Sequence, residues 1–234
     1  MNYAVIAAGY GSRLVSDGLR TPKPLVNLCG ETMVDRLIRI FMANNAKSIS
    51  IIVNEDMCDV YEYLLSIELP IPLYVMKKST RSSMHSFATV TDTIGGGKFC
   101  LTTVDTVFNE EVFSQYIKAW QEDDSDGLMA VTEYIDDEKP LYVEVDANLN
   151  ILSFKDDTYP TAKYVSGGIY CLDSKSIPLL HSCVSKGLHS MRNFQRALLT
   201  HGKKIKAYTF DKIVDVDHVK DVRIAEELIM TNFK

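Results

Sequence analysis

Along the first half of the chain, apolar residues fall alternately into short unbroken runs and into sets at helical spacing. The run "YAVIAAG" predicts a buried strand, and Met33, Val34, Leu37, Ile38 and Phe41 then recur with the period of a helix. "SISIIV" predicts a strand, "MCDVYEYLLSI" a helix and "PLYVMK" a strand; Met84, Phe87, Ala88 and Thr91 mark a helix before the strand "KFCLTTVD". Strands separated by helices of this length imply right-handed βαβ units and a mostly parallel sheet. Past the helix around "NEEVFSQYIKAW" the rhythm changes. "GLMAVTEY", "LYVEVD", "NILSFKD" and "YVSGGIYCLD" are strand-like and close together, with a turn at "ANLN". Residues 127–172 therefore read as a strand-rich insertion of the kind that walls an acceptor site. Helices at "SIPLLHSCV" and "MRNFQRALLTHG", a strand "KIKAYTF" and a last helix "VKDVRIAEELIM" follow. With no repeat, low-complexity tract or linker, the expectation is one α/β domain over residues 1–234.

Composition narrows the partners. With 46% hydrophobic and 24% charged residues the 234-residue chain is that of an ordinary globular protein. A net charge of −6 argues against nucleic acid, whose backbone needs a basic surface, but not against a nucleotide held by a few local cations. The five cysteines form no C-x-x-C pair and predict buried reduced thiols rather than a disulfide or metal framework. The opening residues form a strand rather than a leader, and no apolar run reaches the ~20 residues of a membrane span, so a cytoplasmic location without membrane insertion is expected.

The candidate chemistry begins in "AAGYGSRLVSDGLRTPKPL", residues 7–25. A strand followed by Gly9 and Gly11 suggests a dinucleotide loop, but the third glycine position holds Leu14, and no Walker A pattern is present. What remains is a glycine-bearing backbone able to wrap phosphates with its N–H groups, with Arg13 as a fork-shaped cation. Lys23 lies between Pro22 and Pro24, which predicts an extended, stiffened backbone aiming one ammonium. Preorganised positive charge is what transfer at phosphorus needs. "FCLTTVDTVF" ends an apolar strand on Asp105, at the edge where open α/β sheets bind ligands. "KIVDVDHVKDV" holds Asp215 and Asp217 two apart in a strand-like stretch, which predicts that both face the same way.

The stretch "AAGYGSRL…TPKPLVNLCGETMVDRLI" resembles the signature of the sugar-phosphate nucleotidyltransferases, roughly G-x-G-x-R-L followed by P-K-P-L, and the likeness extends along the chain. The resemblance implies a three-layer, mostly parallel mixed sheet of the nucleotide-diphospho-sugar transferase (Rossmann-like) type. It further implies that Ala7, Ala8, Gly9, Gly11, Ser12 and Arg13, with Ser82 and Ser83 of "KKSTRSSMHSF", hold the NTP. Arg13 and Lys23 would be the catalytic cations. Asp105 matches the family's metal-binding aspartate, and Val104 stands where many sugar-specific members have glycine. The sugar-nucleotide pattern places its second acid on Asp215 and the cytidylyltransferase pattern places it on Asp217; both stay open, with the balance toward Asp217. Mg²⁺, which takes one or two carboxylates plus substrate phosphates, is the implied cofactor. "YVSGGIY" resembles the family's acceptor strand, making Ser166 and Gly167 acceptor residues, with Lys155 or Lys163 for the acceptor phosphate. The resemblance also leaves room for a homodimer.

The leading expectation is NMP transfer from an NTP to a sugar 1-phosphate, releasing pyrophosphate. A second is a cytidylyltransferase making a CDP-alcohol from phosphocholine or an inositol phosphate; Tyr134, Tyr142, Tyr159 and Tyr164 with Asp156 and Asp157 would cage a quaternary ammonium. A third is a nucleotide-binding regulatory protein without turnover, and an NAD-dependent oxidoreductase fails at Leu14.

Overall fold

The computed structural model describes residues 1–136 and 138–231. Strand β1 (Asn2–Ala7) lies between β4 (Ser48–Val53) and β6 (Lys98–Thr103), parallel to both, and β5 (Leu73–Lys77) extends this parallel half beyond β4. On the other side of β6 the sheet turns antiparallel. β11 (Tyr164–Asp173) pairs with β6, β8 (Gly127–Thr132) and β9 (Tyr142–Val145), and β10 (Ile151–Lys155) lies outside β9. β12 (Ile205–Phe210) runs parallel to β8, completing a nine-stranded mixed sheet.

Helices cover both faces because strands buried on both sides expose two apolar surfaces. One face packs against α2 (Met33–Ala43), α3 (Cys58–Leu65), α5 (Glu110–Glu122) and α8 (Val219–Thr231); the other packs against α4 (Ser83–Val90), α6 (Ile177–Ser185) and α7 (Met191–Thr200). In α2 the Thr32 hydroxyl accepts the Asp35 N–H at 3.2 Å, and in α5 the Asn109 side chain accepts that of Val112 at 3.0 Å. The α5 stripe Phe113, Tyr116, Ile117 and Trp120 is fully buried. Each such side chain contributes about 2 kcal/mol of burial, so the stripe rather than helix propensity holds the helix in place.

Five small elements complete the fold. α1 (Ser12–Ser16) starts immediately after Gly11, and β2 (Asn27–Leu28) forms a hairpin with β3 (Glu31–Thr32). β7 (Thr106–Phe108) pairs antiparallel with β13 (Ile213–Asp215), placing Thr106 opposite Asp215. That last pairing sets the end of the chain beside the end of β6.

Two expectations need correction here. Lys23 is not extended: residues Lys23–Leu25 form a 3₁₀ turn, entered from an extended Pro22 and closed by Leu25 N–H to Pro22 O at 2.8 Å. Pro24 is tolerated because the second position of such a turn needs no N–H donor. Of the five thiols, all free, Cys100, Cys171 and Cys183 are buried as expected, whereas Cys29 and Cys58 are exposed. Both lie in connections or at a helix start, where no apolar run encloses them. Among the described residues no helix is long and apolar enough to cross a membrane.

Candidate active site

The site grows from the C-terminal ends of β1 and β6. After Ala7 the backbone leaves the sheet through Ala8, Gly9 and Tyr10, and Gly11 adopts a left-handed conformation (φ +61°) that starts α1. A Cβ on Gly11 would stand 3.2 Å from the Lys23 Cβ, so a side chain there would be both strained and crowded. Gly11 thus lets the loop lie against the lysine stem. Leu14, where a dinucleotide loop needs glycine, is the buried residue of α1.

Lys23 is 7% exposed, and its ammonium reaches two acids from distant parts of the chain. Nζ donates to Asp105 Oδ2 and, at 2.7 Å, to Asp217 Oδ1. Arg13 Nη1 donates to the other Asp217 oxygen at 2.6 Å. Burial alone would lower the Lys23 pKa, but the Asp105 and Asp217 charges outweigh it and hold the ammonium firmly protonated. Burial likewise works against an ionised Asp105, yet the Lys23 charge, helped by the nearby Thr103 hydroxyl, keeps it below its ordinary value.

Asp215 differs. Surrounding protein removes water from its carboxyl and the Asp105 and Asp217 charges repel it, so its pKa is pushed up to about 8, with Thr106 and Lys23 opposing. Its surface still opens on the cleft, so the neighbouring charges are the part of this shift that a bound cation would reverse. Thr106 Oγ1 donates to Asp215 Oδ1 at 3.2 Å and lies 2.7 Å from Thr103 Oγ1. Two hydroxyl protons thus serve two links, Thr103 to Thr106 and Thr106 to Asp215.

Asp215 and Asp217 reach the cleft by a route other than strand alternation. β13 ends at Asp215, and a tight turn (Asp217 N–H to Asp215 O, 3.0 Å) redirects the chain. Asp217 then faces Lys23 and Arg13, while Asp215 faces Thr106. Val216 N–H donates to Asp105 O at 3.0 Å and ties this turn to β6.

Two cavities meet here. The first, about 480 Å³, is bordered by Ala8, Gly9, Gly11, Ser12, Arg13 and Lys23 on one side, by Ser82 and Ser83 on another, and by Asp105 and Asp217. Ala7 is buried just behind it, at the end of β1. The second, about 90 Å³, is bordered by Ser166, Gly167, Tyr134 and Asp215, and shares Arg13 and Asp217 with the first. β11 bulges at Gly167 and Gly168, where its pairing with β8 shifts register. A Cβ on Gly167 would come within 2.2 Å of Ile213 Cδ1, so the bulge lets β13 lie across β11.

Not every residue proposed from sequence joins this group. Lys155 pairs with Glu144 at 2.9 Å and Lys163 with Glu133 at 3.1 Å, and neither borders either cavity. The tyrosines do not form a cage. Lys155, Lys163 and Lys212 cover the rings of Tyr159, Tyr164 and Tyr134, and Asp156 is taken by Arg192 and Arg196. Ser82 borders the first cavity from the N-cap position of α4, and its hydroxyl bonds His85 Nδ1 at 2.9 Å. Sequence reading missed Arg81, which borders the first cavity and has no carboxylate partner among the described residues. The sequence signal was its place beside the two serines. Gly168 and the hydroxyls of Thr103 and Thr106 were also missed, because their roles depend on contacts across strands.

Among the described residues no three His, Cys, Asp or Glu side chains converge as a ready-made metal cage. The donor set nevertheless fits Mg²⁺, which prefers carboxylate oxygens and draws most of its shell from water and substrate phosphate. Asp105, Asp215 and Asp217 bring three carboxyl groups to this spot against the Lys23 ammonium and the Arg13 guanidinium.

Known proteins share this architecture. The inositol-1-phosphate CTP transferase of T. maritima superposes with a TM-score of 0.83 at 21% identity, over 100% of this chain and 96% of that one. A Bacillus anthracis protein assigned as a glucose-1-phosphate thymidylyltransferase gives 0.85 at 18% identity, over 97% and 94%. In sequence, the bifunctional IPC transferase and DIPP synthase of Thermococcus kodakarensis is 25% identical over 115 residues, 49% of this chain and 26% of that protein's length. Residues 3–197 match the model of the MobA-like NTP transferase domain; the chain belongs to this family and is a nucleotidyltransferase.

Proposed function

We propose that this chain moves NMP from an NTP to a small phosphorylated acceptor, in the leading case a sugar 1-phosphate, giving an NDP-sugar and pyrophosphate. The observation that carries this reading is the placement of Arg13 and Asp217 on the border shared by the two cavities, with Lys23 linked to both Asp105 and Asp217. An NTP in the larger cavity would put its phosphates against Gly9–Arg13 and the Lys23 ammonium. An acceptor in the smaller one would approach from Ser166 and Gly167.

An acceptor phosphate oxygen attacks the α-phosphorus in line. The new P–O bond forms as the bond to the bridging oxygen breaks, and that oxygen leaves with pyrophosphate. A phosphomonoester is largely dianionic at neutral pH (second pKa roughly 6), so no general base is required. Lys23 and Arg13 then act by holding charge where it accumulates, and both must turn from their carboxylates to phosphate oxygens. Mg²⁺ held by Asp105 with Asp215 or Asp217 would add positive charge at the phosphates. Consumption of an NTP accords with the cytoplasmic location expected from the sequence.

A second reading is cytidylyl transfer to an inositol phosphate. It is supported by the T. maritima relative, whose name states that activity and whose fold covers the whole of this chain. Pyrophosphate release, measured with ATP, CTP, GTP and UTP against sugar 1-phosphates, inositol phosphates and phosphocholine, tests both. Release with one pair identifies base and acceptor together. NTP binding without release for any pair overturns the transfer reading in favour of a regulatory nucleotide-binding protein.

A further inference from the structure

Two threonine hydroxyls stand behind the Asp215 carboxylate. Thr103 ends β6 and Thr106 opens β7, two residues before and one after Asp105. Thr103 Oγ1 lies 2.7 Å from Thr106 Oγ1, and Thr106 donates to Asp215 Oδ1 at 3.2 Å. The bridge Thr103–Thr106–Asp215 is therefore continuous, with one hydroxyl proton for each link. It joins the end of β6 to the end of β13 through side chains, alongside the backbone pairing of Thr106 with Asp215.

Two features suit this bridge to its place. Thr106 is 1% exposed, so its hydroxyl has protein partners rather than water. Gly168, in a left-handed conformation (φ +74°), leaves the room: a Cβ there would stand 3.0 Å from Thr106 Oγ1, 3.5 Å from Thr103 Oγ1 and 3.8 Å from Asp215 Oδ1. The bulge in β11 and the bridge fit one another.

We propose that Thr103 and Thr106 are positioning residues, whose hydroxyl bridge holds the Asp215 carboxylate, beside Asp105, at a set rotation to receive the divalent cation that accompanies the NTP. This rests on the nucleotidyl-transfer reading. A carboxylate repelled by its neighbours keeps one rotation only while a donor such as the Thr106 hydroxyl restrains it. Groups that orient metal ligands from behind are typically worth about 10–100-fold in metal affinity. Thr106 acts through Asp215 and needs no contact with substrate.

The test compares Thr106→Val, which keeps the branched shape and deletes the hydroxyl, with Thr106→Ser, which keeps the hydroxyl. Mn²⁺ affinity is measured by electron paramagnetic resonance with a non-hydrolysable NTP analogue bound, beside steady-state kinetics. Thr106→Val is expected to weaken Mn²⁺ binding about 10–100-fold and to lower kcat with the acceptor KM unchanged; Thr106→Ser should stay within about threefold of the parent. Equal Mn²⁺ affinity for the valine variant and the parent, or a serine variant as impaired as the valine one, overturns the proposal. If Thr106→Val does not fold, Thr103→Val cuts the same bridge from its other end and carries the same expectations. Asp215→Asn is the control: unchanged Mn²⁺ affinity there also overturns the proposal. The expected Mn²⁺ pattern in a parent protein that releases no pyrophosphate overturns only the transfer reading.

Discussion

Replacing Lys23 by methionine tests the electrostatic logic of the site without any knowledge of its substrate. The methionine chain fills much of the stem's space against Gly11, so the main loss is the ammonium shared by Asp105 and Asp217. Removing one partner of a buried ion pair costs about 3–5 kcal/mol, because the remaining charge is stranded. Here the acids are partly wet, with side chains 20% and 37% exposed, and Asp217 keeps Arg13. The expected loss is therefore about 2–3 kcal/mol. For a chain of this length that lowers the unfolding midpoint by about 5–10 °C in metal-free buffer. Asp215→Asn should act in the opposite direction, because it removes a carboxylate repelled by two others; screening at its open surface limits the gain to roughly 2 °C. Millimolar Mg²⁺ should narrow the gap between Lys23→Met and the parent, since a cation can take the place the ammonium left. Thermal unfolding followed by circular dichroism, with EDTA or Mg²⁺, reads all three midpoints. A Lys23→Met protein as stable as the parent, or one whose deficit Mg²⁺ leaves untouched, would refute the view that Lys23 neutralises this cluster.

Two further predictions follow from the same site. Asp215 has a folded pKa raised to about 8 from an unfolded 3.8, so its stabilising contribution is complete below about pH 4 and disappears as pH rises through 8. Urea midpoints of the metal-free protein should fall as pH rises from about 4 to 8 and level off above 8, and Asp215→Asn should flatten that fall; an equal slope in the variant would contradict the assignment. Arg81→Gln should raise the NTP dissociation constant about tenfold while the acceptor KM stays constant, since Arg81 borders the larger cavity alone and, among the described residues, has no carboxylate to release first. An unchanged constant in a binding titration would remove Arg81 from the site.

Much of the larger cavity could be read along the chain because its parts are local. The loop Gly9–Arg13 and the serines at 82 and 83 each lie within a few residues of the end of a strand, β1 and β5 respectively. Asp105 was legible for the same reason, as the first polar residue after a buried strand. The conformation of Lys23 was not legible, because proline rules weigh one peptide unit at a time and the 3₁₀ turn depends on a bond three residues long. Nor could sequence rank Lys155 and Lys163: a lysine's reach is decided by the nearest carboxylate, and both find one on the surface. The expected tyrosine cage failed similarly, with lysines of the chain itself lying over three of the rings.

The order of elements, the two-sided burial of the central strands and the glycine-bearing turn after β1 were determined by the sequence itself. They depend on the period of apolar residues and on the backbone freedom of glycine, and both act over a few residues. Only the tertiary structure decided which acids act together. Asp105 and Asp217 lie more than a hundred positions apart, and they meet because β13 pairs with β7 and the Gly167–Gly168 bulge lets β13 cross β11. The same crossing gives Asp215 its raised pKa and the two threonines their bridge. A pairing of that kind is selected by the free energy of the whole assembled sheet, and no local pattern encodes it.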